Sequence, residues 1–424
     1  MARLTPERRT PIDLAVSAAI VAVVLIVGVV VWLNSPVRHT DSVQAAGAVP
    51  SVSAATTVPD RVTPLWHARS SATRMPALSR SLVVTADAGT VEGRDPTTGR
   101  QVWRYQRDLP VCAIIAAWPS STNEVLAAYR NSRGCGEITA LDGSSGHREG
   151  SRSSEADGRV TLTSDSGYVV SQGSTRLETW GSNLVRGIEY GRIEAPVKPD
   201  VQPDRHGCRL FSSIVGGDRI AVIERCDGDR GYRLTVLGAV LNKDEQVQQY
   251  GSSVITDGTD GPPPVVVSMS TSAIAVYDGG ANPPAPSTTP GPVPAAIRQF
   301  TTDGAPSANN SVDGDTAPPA NSVPIATTGL TTYFTGKATV VVNTSTGRPI
   351  YQVPGAIGAG DLMGGFLLLP TATGISVRDA ANGREVRAIP VTREGRDDQP
   401  VNLRVLGDTI VEQRGDQVTA YGRA

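Results

Sequence analysis

Four times in this chain an Asp or Asn is followed four residues later by a Gly, with a short alternating strand leading in and another leading out. The copies are Asp95 with Gly99, Asp142 with Gly146, Asn343 with Gly347, and Asp379 with Gly383. An Asx side chain accepts a hydrogen bond from a backbone NH two residues on, and Gly supplies the positive φ that a tight hairpin needs before its returning strand. Each copy therefore reads as a hairpin turn. GTVEGRD, EITALD, ATVVVN and GISVRD lead in, and RQVWRY, HREGS, RPIYQV and REVRAI lead out. A further strand lies upstream, such as SLVVT at 81–85 or GFLLL at 365–369, with another before it. The unit is four strands.

The first two turns lie 47 residues apart and the last two 36, while 201 residues separate Asp142 from Asn343. Intervals of roughly 50 residues fit propeller blades once insertions are allowed. The long gap then holds three degenerate units, expected near 160–194, 208–250 and 265–300, whose turns have lost the consensus Asx and Gly. The end of the chain supplies three strands, at 401–405, 409–413 and 417–421, and lacks a fourth. VTPLWHA at 62–68 resembles the outer strand RQVWRY and is expected to complete that last blade. Joining the two ends in one sheet replaces an exposed edge with a paired one. The fold class is all-β: a propeller of about eight four-stranded blades. Scarce helix-favouring runs after residue 35, with 44 Gly and 31 Pro, agree.

The phrase with Asp95, Gly99 and Trp103 resembles the pyrroloquinoline-quinone-like β-propeller repeat family, which includes quinoprotein dehydrogenases and the non-enzymatic propeller of the outer-membrane assembly machinery. The resemblance covers roughly 62–424, and the chain as a whole is similar to a membrane-anchored actinobacterial member of that family. Trp66, Trp103, Trp118 and Trp180 read as blade packing.

Ahead of the repeats, residues 14–33 read LAVSAAIVAVVLIVGVVVWL, an uncharged run of 20 that as a helix matches the roughly 30 Å of a bilayer core. Arg3, Arg8 and Arg9 before it, against Glu7 and Asp13, leave 1–13 as a cytoplasmic tail and send the rest outside a plasma membrane as a single-pass anchor. The alternative, a cleaved signal peptide with a small-residue site at 46–48, has too long an apolar run and too distant a site. Residues 34–61 have no period and are expected to form a flexible linker, with 62–424 the extracytoplasmic propeller. The stretch 279–324, rich in Pro, Ser, Ala and Asn, is expected to be a disordered insertion, because it cannot bury enough apolar area to order itself unaided.

Four Cys facing an oxidising space allow three pairings. Cys112 begins the first strand of its blade and Cys135 follows the second; Cys208 and Cys226 occupy equivalent places in another blade. Antiparallel neighbours bring such ends within disulfide reach, which favours Cys112 with Cys135 and Cys208 with Cys226. His39, His67, His147 and His206 form no metal-binding spacing. There is no GxSxG, HExxH or phosphate loop, and Asp227-Gly-Asp229 and Asp313-Gly-Asp315 lack the ligand order of a calcium loop. A net charge of −2 without a basic block argues against nucleic acid as a partner.

Two function classes follow. The first is a non-catalytic scaffold, binding an envelope protein or a wall polymer, with no cofactor, metal or catalytic residue. The alternative is a quinone-dependent dehydrogenase. In the family's enzymes the quinone lies against a disulfide between adjacent cysteines, over a Trp, beside a calcium held by carboxylate and amide groups. No two Cys are adjacent in this chain.

Overall fold

The computed structural model describes residues 10–33, 35–47, 49–193, 201–203, 205–255, 261–280, 293–393 and 399–424. A helix, Pro11–Leu33, is long and apolar enough to cross a membrane, and none of it is buried by protein. It starts ahead of the apolar run because Thr10 and Asp13 cap it reciprocally. The Asp13 NH donates to Thr10 Oγ1 at 3.2 Å and the Thr10 NH to Asp13 Oδ2 at 2.8 Å.

Apart from one 3-10 turn at Pro36–His39, the other regular elements among the described residues are β-strands. Eight four-stranded antiparallel units follow one another as blades one to eight, spanning 77–107, 111–153, 161–191, 209–254, 265–311, 325–354, 361–390 and 401–423. The eight-bladed propeller expected from the repeat spacing is the observed fold. Blade eight takes its outer strand from Val62–Arg69, which pairs antiparallel with Gln417–Arg423 from Val62 opposite Arg423 to Arg69 opposite Gln417. The ring closes as the sequence implies.

The core is divided among the seams between blades. Trp103 and Tyr105 of blade one meet Val125, Tyr129 and Leu141 of blade two, all at most 3% exposed. A similar cluster lies at each of the other seven seams, down to Val83 of blade one against Val411 and Val418 of blade eight. Each fully buried Val, Leu or Ile contributes about 1.5–3 kcal/mol, so no single seam dominates and all depend on the ring staying shut.

The four Asx turns behave as read. Asp95 Oδ1 accepts from the NH groups of Thr97 and Thr98 at 3.0 and 2.8 Å, and Gly99 follows at φ 68°. They also join blades. Trp66 donates from Nε1 to the Pro96 carbonyl at 2.9 Å, Trp103 to the Gly143 carbonyl at 3.3 Å, and Tyr351 from its hydroxyl to the Ala380 carbonyl at 2.9 Å. In all three the acceptor is the residue just after the Asx, in the next blade around the ring.

The middle turns are less degenerate than expected. In blade four Asn242 still accepts from Asp244 and Gln246 NH, both at 2.9 Å, but Glu245 rather than Gly takes the positive φ, at 60°. Blade five keeps the glycine, Gly304 at φ 80°, behind Thr301. Asx and Gly survive separately, at shifted spacing, so the motif hid there.

The expectation of a disordered insertion over 279–324 needs correction. Residues 281–292 lie outside the described residues, but Pro306–Ser311 is the outer strand of blade five, paired with Ala296–Phe300. Residues 313–324 then run to blade six held by polar contacts: the Asp313 NH donates to Gln352 Oε1 at 2.7 Å, and the Tyr277 hydroxyl to the Asp315 carbonyl at 2.6 Å. The segment could not order itself through apolar burial, and its neighbours order it with hydrogen bonds.

The stretch 34–61, expected as a flexible linker, also contributes structure. Thr40–Val43 adds a fifth strand to blade one, with Thr40 opposite Arg107 and Val43 opposite Arg104. Its side chains stay largely exposed, so the strand is held by backbone pairing that composition does not reveal. Further on, the Val52 NH donates to the Arg80 carbonyl at 3.0 Å, Ala55 and Val58 pack between blades seven and eight, and Arg387 donates to the carbonyls of Val58 and Pro59 at 2.8 and 2.9 Å.

Candidate functional site: the central channel

The innermost strands leave a cavity along the ring axis in two adjoining lobes. The larger, about 710 Å³, is walled by inner-strand residues of blades one to three, with Arg404 of blade eight. The smaller, about 250 Å³, is walled by blades three to five and by 317–324. Arg74, Thr161, Thr163, Val323 and Pro324 line both.

Arg74 reaches the axis because of how the ring closes. Residues 70–76 carry the chain from the outer strand of blade eight to the inner strand of blade one, so they must cross the sheet ends toward the centre. Ser70, fully buried, donates its NH to the Asp416 carbonyl at 2.7 Å and accepts from the Ala86 NH at 3.0 Å through its hydroxyl. Gln413, 1% exposed, donates from Nε2 to the carbonyls of Ser70 and Thr73 at 3.1 and 2.8 Å, and accepts from Thr73 Oγ1 at 2.9 Å. Asn402, also 1% exposed, donates to the Arg74 carbonyl at 2.6 Å and to the Asn321 carbonyl at 2.9 Å, tying both crossing segments to blade eight. The backbone under Arg74 is thus fixed from two sides.

The lining is cationic in a chain of net charge −2. Arg74, Arg130, Arg159 and Arg404 contribute to it, and the described lining of both lobes includes no Asp or Glu. Arg404 is neutralised by Asp361 just outside the wall, at 3.0 Å. Arg74 has only Thr161 Oγ1, at 3.5 Å, among the described residues. The Arg74 side chain is exposed to the channel, and desolvation by the protein around it lowers its pKa from the ordinary arginine value. Arginine stays charged at any physiological pH, so the channel keeps this positive charge.

The residues singled out from sequence lie elsewhere for the most part. The eight turn residues Asp95, Gly99, Asp142, Gly146, Asn343, Gly347, Asp379 and Gly383 sit between third and outer strands, spread around one rim, and converge on no common site. Both disulfides have the expected pairing, Cys112 with Cys135 and Cys208 with Cys226, and Cys112 lines the larger lobe. Cys208, Glu224 and Cys226 come together as a metal site would, but both sulfurs are bonded to each other. Glu224 is taken up by Arg205 at 2.8 Å, the Tyr190 hydroxyl at 2.8 Å and Thr235 Oγ1 at 2.5 Å. Burial first, then the neighbouring Glu224, pushes the Tyr190 phenol far above its ordinary pKa, so it stays a neutral donor. This cluster is structural. His39 and His147 brace the stretch beside the fifth strand, His39 Nδ1 lying 2.8 Å from Asp108 and His147 Nδ1 3.2 Å from Gln44 Nε2.

Sequence reasoning missed Arg74. No motif marks SSATRMP, and its supporting residues Asn402 and Gln413 are 328 and 340 positions away from the residues they hold. Only the closure seen in VTPLWHA and the carboxy-terminal strands could have placed them together.

No family model and no curated protein matches the chain. Among solved structures, the computationally designed Ika8 protein is similar at a TM-score of 0.50 and 15% identity, over 89% of this chain and 99% of that one. The dihydro-heme d1 dehydrogenase NirN, in complex with DHE, gives 0.49 and 13%, over 83% and 78%. Apo AztD from Citrobacter koseri gives 0.43 and 10%, over 78% and 88%. Likeness at such identities concerns the fold alone.

Proposed function

We propose that the chain is a membrane-anchored propeller on the outer side of a plasma membrane, a divergent relative of the pyrroloquinoline-quinone-like repeat proteins, and that it binds rather than catalyses. Its partner in this reading is an envelope protein or a wall-polymer ligand. The observation that carries the reading is the chemistry of the channel. The described lining offers arginines, hydroxyls and apolar walls, with no carboxylate, histidine or free thiol to act as general base, nucleophile or metal ligand. The quinone cofactor of the family's enzymes does not fit these residues: Cys112, on the first strand of blade two, bridges to Cys135 at the start of the third strand rather than to an adjacent cysteine, and carboxylates for a calcium are missing from the described lining.

The anchored topology draws support from the apolar helix and from two disulfides, which persist in oxidising compartments. Only residues 34–39 separate that helix from the strand fastened to blade one. The full-length chain should stay with membranes through an alkaline wash, and a reporter active only in the cytoplasm should be silent when fused after Ala424. Release of a shortened chain, or a strong reporter signal, would sink the topology. Dye reduction with alcohols or sugars after loading with pyrroloquinoline quinone and calcium would sink the non-catalytic reading.

A further inference from the structure

We propose that the central channel binds a small organic oxyanion, a carboxylate or phosphate group on a largely apolar body, with the anionic group seated on Arg74. The inference deepens the binding role proposed above and rests on it.

Three independent features converge on the same place. The first is charge without a counter-charge. Arg74 stands between the two lobes with no carboxylate in the described lining, while Arg130 and Arg159 add positive charge to the larger lobe's wall. Low-dielectric walls focus such a field and raise the local concentration of anions. The second is preorganisation. Asn402 and Gln413 fix the Arg74 backbone through hydrogen bonds to the carbonyls of residues 70, 73 and 74. A guanidinium on a fixed stem meets a carboxylate or phosphate in a two-pronged geometry that a hydrated lysine does not offer.

The third is an unused polar group. Ser322 lines the smaller lobe, is 8% exposed, and its hydroxyl has no hydrogen-bond partner among the described residues. Buried hydroxyls are nearly always paired, so this one, closed off behind the wall of the smaller lobe, leaves unused hydrogen-bonding capacity beside the channel. The remaining walls mix hydroxyl groups such as Thr73, Thr161 and Ser213 with apolar side chains such as Met75, Ile115, Leu162 and Phe211. The combined size suits a small molecule, for which pockets run roughly 300–1,000 Å³.

The test is calorimetry on the full chain in a neutral detergent, with phenyl phosphate and benzoate as probes and benzylamine and benzyl alcohol as controls. At least one anion should bind with 1:1 stoichiometry, more weakly as salt is raised, and the controls should not. Which anion wins distinguishes a phosphate ligand from a carboxylate. Arg74→Gln should weaken binding about tenfold or more, while Arg384→Gln, on the rim of blade seven, should leave it unchanged. Thermal melting of each variant separates lost binding from lost folding. Arg74→Leu, which keeps the bulk but not the donors, serves if the Gln variant melts early. Binding of neither anion, equal binding of benzylamine, or undiminished affinity in a folded Arg74 variant would overturn the inference. Any of these leaves the scaffold reading standing, since only quinone-dependent turnover removes that.

Discussion

The indole of Trp103, in the outer strand of blade one, covers Gly146 in the turn of blade two so closely that a Cβ on that glycine would fall 2.7 Å from the ring. Trp66 sits on Gly99 and Tyr351 on Gly383 in the same way, at 2.4 and 2.5 Å. Gly347 is the exception. Its nearest neighbour is the Ile274 carbonyl at 3.3 Å, and no ring covers it.

That contrast sets the first expected outcome. Gly146→Ala and Gly383→Ala combine left-handed backbone strain with a clash against a docked ring, and should cost about 2–4 kcal/mol. Gly347→Ala carries mainly the strain, about 1–2 kcal/mol. Denaturant unfolding of the three variants measures the difference. Equal losses at all three would show that ring contact adds nothing.

Ring closure gives a second. Deleting residues 62–68 removes the partner of Gln417–Arg423 and uncovers the seam where Trp66 packs with Val411 and Val418. Amide exchange should rise sharply across Thr409–Arg414 and Gln417–Arg423, with blades three and four protected as before. Unaltered protection in blade eight would mean that the pairing is dispensable.

The disulfides give a third. Peptide mapping without reduction should recover the 112–135 and 208–226 bridges from protein folded under oxidising conditions. Reduction should lower the melting point, because each bridge restricts the unfolded chain by about 3 kcal/mol on the loop-entropy account. A 135–208 peptide, or four alkylatable thiols, would contradict the structure.

Acid provides a fourth. Partial burial would raise the Asp157 carboxyl, but hydrogen bonds from Thr175 Oγ1 and NH, both at 2.7 Å, from Arg192 and from the Arg176 NH outweigh it and hold the group below the usual carboxylate range. A pKa depressed by folding stabilises above the unfolded value, about 3.9 for Asp, and that stability is lost as pH falls through the folded pKa. Asp157→Asn should therefore be clearly less stable than the parent at pH 7, and the gap should close as pH is lowered past 4. A gap that stays constant down to pH 3 would assign its effect to shape rather than charge.

What was legible in the sequence was what local chemistry writes. Asp95 and Gly99 make a turn through bonds spanning two to four residues, so four copies were visible and their spacing gave the ring. Blade three hid because its turn at 181–185 uses Asn183 and a Leu184 at positive φ, a combination with no propensity signal. The strand Thr40–Val43 hid because pairing with Gln101–Arg107 needs only backbone, and the channel hid because a single arginine becomes conspicuous only once inner strands from six blades wall the cavity beside it.

The outer strand of blade eight is synthesised before every other strand of the eight four-stranded blades and is the last of them to find its partner. As Val62–Arg69 leaves the ribosome, its hydrogen-bonding edge has nothing to pair with until Gln417–Arg423 has also been made. Blades one to seven can form in order behind the moving chain, but the seam around Trp66 cannot. Maturation is thus timed by the final strand: a nascent chain stalled or clipped a few residues early would carry seven nearly complete blades and an open, adhesive edge. Quality control can read that edge directly, with no need to sense the rest of the fold.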